Sequence, residues 1–130
     1  NRHGKRKQII VGAIIYEYTP VDGSILAKES WTEYLSNTYS AIYIMTLGVI
    51  DEFRGKGVAS QLLNKVMQEA NSNPLIRYVS LHVVIYNSAC RFYERNSFER
   101  IAQLEAYYRI FGTEYDAICY VKFVNGGRRR

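Results

Sequence analysis

No stretch of the chain reaches about 18 apolar residues, so no hydropathic membrane span is expected. The basic segment Asn1–Lys7 does not lead into the apolar core of a secretory leader. The segment after it, Ile9–Tyr16, is short and β-branched and reads as a strand. Cysteine is scarce. Cys90 and Cys119 are the only two, and neither sits in a metal-ligand spacing, so no metal is expected. Two unpaired thiols fit a reducing compartment better than a secreted disulfide scaffold, although spacing alone leaves a bridge between them open. Internal repeats and low-complexity segments are missing as well. With 130 residues, nearly half of them apolar, the chain is sized for one domain with one core.

A cationic surface is also missing from the part expected to fold. The formal net charge is +5, but Arg2, Lys5, Arg6 and Lys7 precede the first strand and Arg128, Arg129 and Arg130 follow the last. Without those seven, ten basic residues face twelve acidic ones and residues 8–127 carry a net charge of −2. A nucleic-acid binder carries its basic excess on the folded surface. Residues 1–7 and 128–130 therefore read as solvated basic tails, and no nucleic-acid partner is expected.

What is present is a regular alternation of elements. Gln8–Tyr18 is rich in Ile, Val and Tyr and reads as a strand; Thr19–Asn37, with Pro20, Asp22 and Gly23, reads as a long polar loop. Ala41–Val49 is a second strand. From Gly57 to about Asn71, Val58, Leu62, Val66 and Ala70 recur every four residues, with Ala59, Leu63 and Met67 beside them, which predicts a helix stopped by Asn73–Pro74. Tyr78–Ile85 reads as a strand and Ser88–Arg95 as a short helix. Ile101–Ala106 and Asp116–Val124 read as strands joined by a turn at Gly112. The order β–β–α–β–α–β–β predicts an α/β mixed sheet, with an antiparallel opening pair and a parallel crossover from Ala41 to Ile85.

The chemically informative stretch joins the second strand to the first helix. Gly55 and Gly57 permit positive φ and close approach of a ligand, the helix N-terminus offers free N–H groups, and Arg54 and Lys56 add positive charge. On local chemistry this is either a pyrophosphate cradle or a plain glycine turn with two solvated cations. A magnesium-holding P-loop is excluded, because Gly57 rather than Ser or Thr follows Lys56. A dinucleotide fingerprint is poorly met, since Tyr78–Ile85 ends in Tyr86–Asn87 with no acidic residue for a ribose.

Arg54-x-x-Gly57-x-Ala59 resembles the acetyl-CoA signature, Gln/Arg-x-x-Gly-x-Gly/Ala, of the GNAT superfamily of N-acetyltransferases. The flanking blocks resemble the subgroup that acetylates protein N-termini: Tyr43–Ile44–Met45–Thr46–Leu47–Gly48–Val49 before the signature, then Leu81–His82–Val83, Asn87, Ala89 and Phe92–Tyr93–Glu94 after it. Ala106–Tyr107–Tyr108–Arg109–Ile110 and Val124–Asn125–Gly126–Gly127 bring the likeness nearest to the NatF type. The resemblance covers residues 8–127. Asn87–Ser88–Ala89 is one residue shorter than the family's Asn-x-x-Ala.

The resemblance implies strands splayed around a cleft for acetyl-CoA. Leu47, Gly48 and Val49 would hold the pantetheine arm and Arg54, Gly55, Lys56, Gly57, Val58 and Ala59 the pyrophosphate, with Asn87 and Tyr93 also on the cofactor. It implies Tyr43 and His82 as a base system for a neutral amine attacking the thioester directly. Tyr93 would lie near the sulfur, and Tyr43, Tyr107 and Tyr108 would wall the acceptor pocket. Read without it, His82 is a structural histidine, Tyr93 a core aromatic, and Tyr107 and Tyr108 surface tyrosines. The implied acceptor is a protein N-terminus or peptide, with Met followed by an apolar residue or Lys. Lysine or small-molecule amines, and a non-catalytic acyl-CoA-binding module, are the alternatives. The implied location is cytoplasmic, with Golgi attachment through a C-terminal extension and no membrane contact by these residues. Because Gln8–Tyr18 corresponds to the family's second strand, the expectation is an N-terminally incomplete domain lacking the opening strand and helices. A neighbouring chain covering Gln8–Tyr18 would serve the same end.

Overall fold

The computed structural model describes residues 7–27 and 39–130. The N-terminal basic segment up to residue 6, and residues 28–38 of the long polar loop, lie outside the described residues. The elements are β1 (Gly12–Pro20), β2 (Ser40–Val49), a 3-10 turn (Asp51–Phe53), α1 (Val58–Ser72), β3 (Ile76–Val84), α2 (Ala89–Arg95), β4 (Glu99–Ile110) and β5 (Thr113–Phe123). They form one mixed sheet in the order β1-β2-β3-β5-β4. β2 and β3 are parallel, joined by the α1 crossover, and the other pairs are antiparallel.

Alternation along the strands divides the sheet into two faces. On one, Ile42, Ile44, Val79, Leu81, Ile118 and Tyr120 pack against Leu63, Val66, Met67 and Ala70 of α1 and Tyr93 of α2. Their neighbours Ala41, Tyr78, Cys119 and Val121 form a smaller cluster on the other face, beneath Val21, Ile25 and Leu26. That cover is tied down. The Asp22 N–H donates to the Tyr78 hydroxyl at 2.9 Å. The Ala27 N–H donates to the Arg128 carbonyl at 2.7 Å and the Arg130 N–H to the Ile25 carbonyl at 3.0 Å, with a bridge between Leu26 and Arg129. Residues 128–130 are therefore not a solvated tail: their side chains are exposed, but their backbone is paired.

The end of α1 explains the Val124–Gly127 block. Asn125, at φ +53°, turns its amide onto the carbonyls of Ala70, Asn73 and Ile76 at 2.8–2.9 Å. These include carbonyls that a helix C-terminus leaves without an intrahelical partner. Element boundaries shift for similar local reasons. β1 starts at Gly12 rather than Gln8, because only from there does it find a partner in Val49. β4 and β5 reach Ile110 and Thr113, since their hairpin closes tightly on Phe111 and Gly112. β1 is the edge of the sheet, and Ile15 and Tyr18 are each 53% exposed.

Candidate active site

The parallel pair β2–β3 is hydrogen-bonded only as far as Tyr43 and Ser80. Beyond that point β2 runs on to Val49 and β3 to Val84 without pairing to each other. β2 stays bonded to β1 as far as Gly12–Val49. Its later residues, Leu47, Gly48 and Val49 among them, therefore present one free backbone edge to the gap. A register shift against Ile15 and Tyr16 leaves Met45 as an extra residue in β2, with its side chain exposed. The expected splay is therefore a feature of this sheet.

At the mouth of the gap the chain turns through Gly55 (φ +76°) and Gly57 (φ +80°) into α1. Gly57 is the N-cap, no side chain caps the helix, and no acidic residue lies in the first turn. The N–H groups of Val58, Ala59 and Ser60 are thus left for a ligand, and the helix dipole favours an anion there. Arg54 folds back, its Nε 3.2 Å from the Val49 carbonyl and 3.2 Å from the Asp51 carboxylate. Lys56 lies over the Phe53 ring at 5.3 Å. A free strand edge for amides, donors free of carboxylates and two nearby cations fit a pantetheine-pyrophosphate group.

Tyr43 and His82 lie where the strands part, on the face away from the helices. The Tyr43 hydroxyl is 2.7 Å from His82 Nδ1. Burial pushes the Tyr43 phenol up to about 12, helped by the neighbouring phenols of Tyr107 and Tyr108. Burial holds His82 below its ordinary value. In the Nε2–H tautomer of the neutral imidazole, Nδ1 accepts the Tyr43 hydroxyl proton.

β4 runs past its expected end at Ala106 and includes Tyr107 and Tyr108. The Tyr107 ring stacks on His82 at 4.7 Å and 16°. Tyr108 meets Tyr107 edge-on at 5.0 Å, with its hydroxyl 3.5 Å from the His82 carbonyl. Adjacent side chains of a regular strand point to opposite faces, so something must break the alternation. The four residue steps of β4 from Leu104 to Tyr108 face only two steps of β5, from Ala117 to Tyr115, and Ala106 takes φ +50°. Asp116 holds this bulge. One carboxylate oxygen accepts the Ala106 N–H at 3.0 Å and the other the Gln103 amide at 2.8 Å. Those bonds keep its pKa below the ordinary value. Sequence reading missed Asp116; its signal was an aspartate inside a strand, where that residue is disfavoured.

Tyr93 is not brought to the pair. Its ring lies on the helix-covered face between Phe92, Phe98 and Tyr120, and burial pushes its phenol up to about 12. Asn87 uses its side-chain oxygen to accept the Ala89 N–H at 2.8 Å at the start of α2. The donor is a backbone N–H, so this bond does not depend on the alanine side chain at 89. Cys119, paired with His82 across β3 and β5, is free, buried and raised to about 11 by that burial, so its thiol stays protonated. Among the described residues no helix is long and apolar enough to cross a membrane.

A model of the acetyltransferase (GNAT) family matches residues 4–98. N-alpha-acetyltransferase 60 of Xenopus tropicalis is 39% identical over 127 residues, covering 91% of this chain and 50% of that protein. Histone acetyltransferase MCC1 of Arabidopsis thaliana is 35% identical over 111 residues, covering 80% of this chain and 45% of that protein. Among solved structures, Arabidopsis thaliana NAA60 in complex with a bisubstrate analogue superposes with a TM-score of 0.74 at 34% identity, over 89% of this chain and 66% of that one. The chain spans about half the length of the curated relatives it matches.

Proposed function

The chain belongs to the GNAT acetyltransferase family, and from that premise we propose that it transfers the acetyl group of acetyl-CoA to the α-amine of protein N-termini. The observation that carries the proposal is the 2.7 Å contact between Tyr43 and His82 at the point where β2 and β3 part. Acetyl-CoA would lie in the gap, its arm along Leu47–Val49 and its pyrophosphate at Gly55–Ala59 beside Arg54 and Lys56. When bound it supplies the activated acyl group.

The chain's own residues then handle the proton. The attacking amine must be neutral. At pH ~7 an α-amine of pKa ~8 has roughly 250 times the neutral fraction of a lysine at ~10.4, an advantage of about 3 kcal/mol. A mild base therefore suffices. Tyr43 donates to Nδ1 and turns its lone pairs toward the acceptor. As the amine attacks the thioester carbonyl its proton passes, directly or through one water, to the Tyr43 oxygen, while Tyr43's own proton moves to Nδ1. The C–N bond forms, the C–S bond breaks, and the thiolate takes the electron pair. Tyr93, held at about 12, is a weaker acid than a thiol of pKa ~8.5. In the role proposed for it, it hydrogen-bonds the thiolate rather than surrendering its proton.

Tyr107 and Tyr108 would flank the extended peptide backbone, and Met followed by an apolar residue or Lys is the proposed N-terminus. The likeness to a protein named as a histone acetyltransferase makes lysine transfer the second reading. A peptide panel decides. Free Met-Leu and Met-Lys peptides should be acetylated faster than peptides blocked at the α-amine that carry free lysines; the reverse order would overturn the α-amine assignment.

A further inference from the structure

We infer that Asp116 is a positioning residue of the acceptor site: its carboxylate, bridging the Ala106 N–H and the Gln103 amide, holds the β4 bulge that lays Tyr107 on His82. The geometry converges on this one side chain. The two-residue excess of β4 lies directly opposite Asp116, between the Leu104–Ala117 and Tyr108–Tyr115 pairs. Its two carboxylate oxygens are each used, one on the Ala106 N–H within the excess at 3.0 Å and the other on the Gln103 amide just before it at 2.8 Å. Its backbone carbonyl also accepts the Ile85 N–H at 2.9 Å, which ties the same residue to the end of β3. Asp116 thus joins the strand carrying His82 to the strand carrying Tyr107 without touching either ring.

Ala106 needs that anchor. At φ +50° it sits in the left-handed region that a residue with a Cβ adopts only when its surroundings hold it there. Released from the carboxylate, the segment can relax toward a regular strand. Tyr107 and Tyr108 would then point to opposite faces, and the 4.7 Å stack on His82 would open.

The kinetic part rests on the acetyl-transfer reading; the spectroscopic part does not. NMR of the His82 ring protons reads the stack directly, because a tyrosine ring at 4.7 Å shifts them upfield. In Asp116→Ala these resonances should move to their positions in Tyr107→Ala, and kcat with a Met-Leu peptide should fall by about 10- to 100-fold through misplacement of the pair. The Kd for acetyl-CoA should be unchanged. Asp116→Asn keeps an acceptor for the Ala106 N–H and should restore both readouts. If Asp116→Ala does not fold, Asp116→Glu, which moves the carboxylate out by one methylene, carries the same readouts. His82 resonances that stay at wild-type positions in the alanine or glutamate variant overturn the inference, and so does an asparagine variant as impaired as alanine. A wild-type chain that acetylates no peptide overturns the functional reading while the ring shifts still decide the role of Asp116.

Discussion

At the start of β3, Gly127 lies so close to the chain that a Cβ there would stand 2.1 Å from the Arg77 carbonyl oxygen. Near the other end of the same layer, Gly55 and Gly57 have nothing within 4 Å of where a Cβ would sit, and are glycine for their φ of +76° and +80°. The first region is closed by the chain's own groups. The Asn125 amide covers three carbonyls, Arg77 donates to the Asn125 carbonyl, and its guanidinium lies 4.0 Å from the centre of the Tyr39 ring. The second leaves a strand edge and a helix N-terminus without partners among the described residues. Polar groups are covered in the first region and left open in the second, the proposed acetyl-CoA site.

The largest effect expected is at the open end. Tyr43→Phe combined with His82→Ala should lower kcat by about 10²–10⁴-fold with the melting temperature little changed, because both side chains are only half-buried. Full activity in that double variant would remove the base assignment. At the closed end Gly127→Ala should destabilise the fold by about 3 kcal/mol or more, since the clash is with backbone that cannot step aside. Asn125→Ala should cost about 1–3 kcal/mol by leaving helix-end carbonyls unpaired. Both are read by denaturant unfolding, and neither should change acetyl-CoA affinity while the protein is folded. Gly57→Ala should cost only about 1–2 kcal/mol of stability from its left-handed φ, yet weaken acetyl-CoA binding in calorimetry. Unchanged affinity would break the contrast between the two ends.

Legibility in the sequence divides along the same line. The helix α1 and the five strands were legible, because apolar spacing of three to four residues writes the helix and runs rich in β-branched and aromatic residues write the strands. The Gly55–Gly57 turn was legible as a turn, but its openness was not. The sequence marked Gly127 only as part of the Val124–Gly127 block, and the close approach of Arg77 is visible only in the fold. Tyr43 and His82 came from motif likeness, since 39 positions separate them and only the parallel register of β2 and β3 brings them together. The strand was read as ending at Ala106, short of Tyr107, because the bulge depends on a partner, Asp116, ten residues beyond Ala106. Residues 128–130 were misread as tail because charge suggested solvent, while their backbone pairing with Ile25 and Ala27 depends on a contact about a hundred residues away.

The smallest effect expected tests how the aromatic cover tunes the pair. Burial lowers the His82 pKa, and Tyr107 stacked on its ring is part of that burial. Below ~8 the acceptor α-amine loses its neutral form, so log kcat/KM should fall with a slope of one. Protonation of His82 removes the proton acceptor as well, so the slope should steepen to two at a pH below ~6.5, the unperturbed imidazole value. Tyr107→Ala admits water to the ring, and the break should move up toward the unperturbed imidazole value. The stability linkage has a definite sign. The unfolded chain binds the proton more readily than the fold does, so the contribution of His82 is fully present above ~6.5 and is lost as pH falls through the lower folded value. Tyr107→Ala should therefore also flatten the pH dependence of unfolding in that window. The pH–rate profile and an NMR titration of His82 report the same group independently. If neither the break nor the titration moves in Tyr107→Ala, the lowering comes from the strands beneath His82, and Tyr107 serves the acceptor peptide alone.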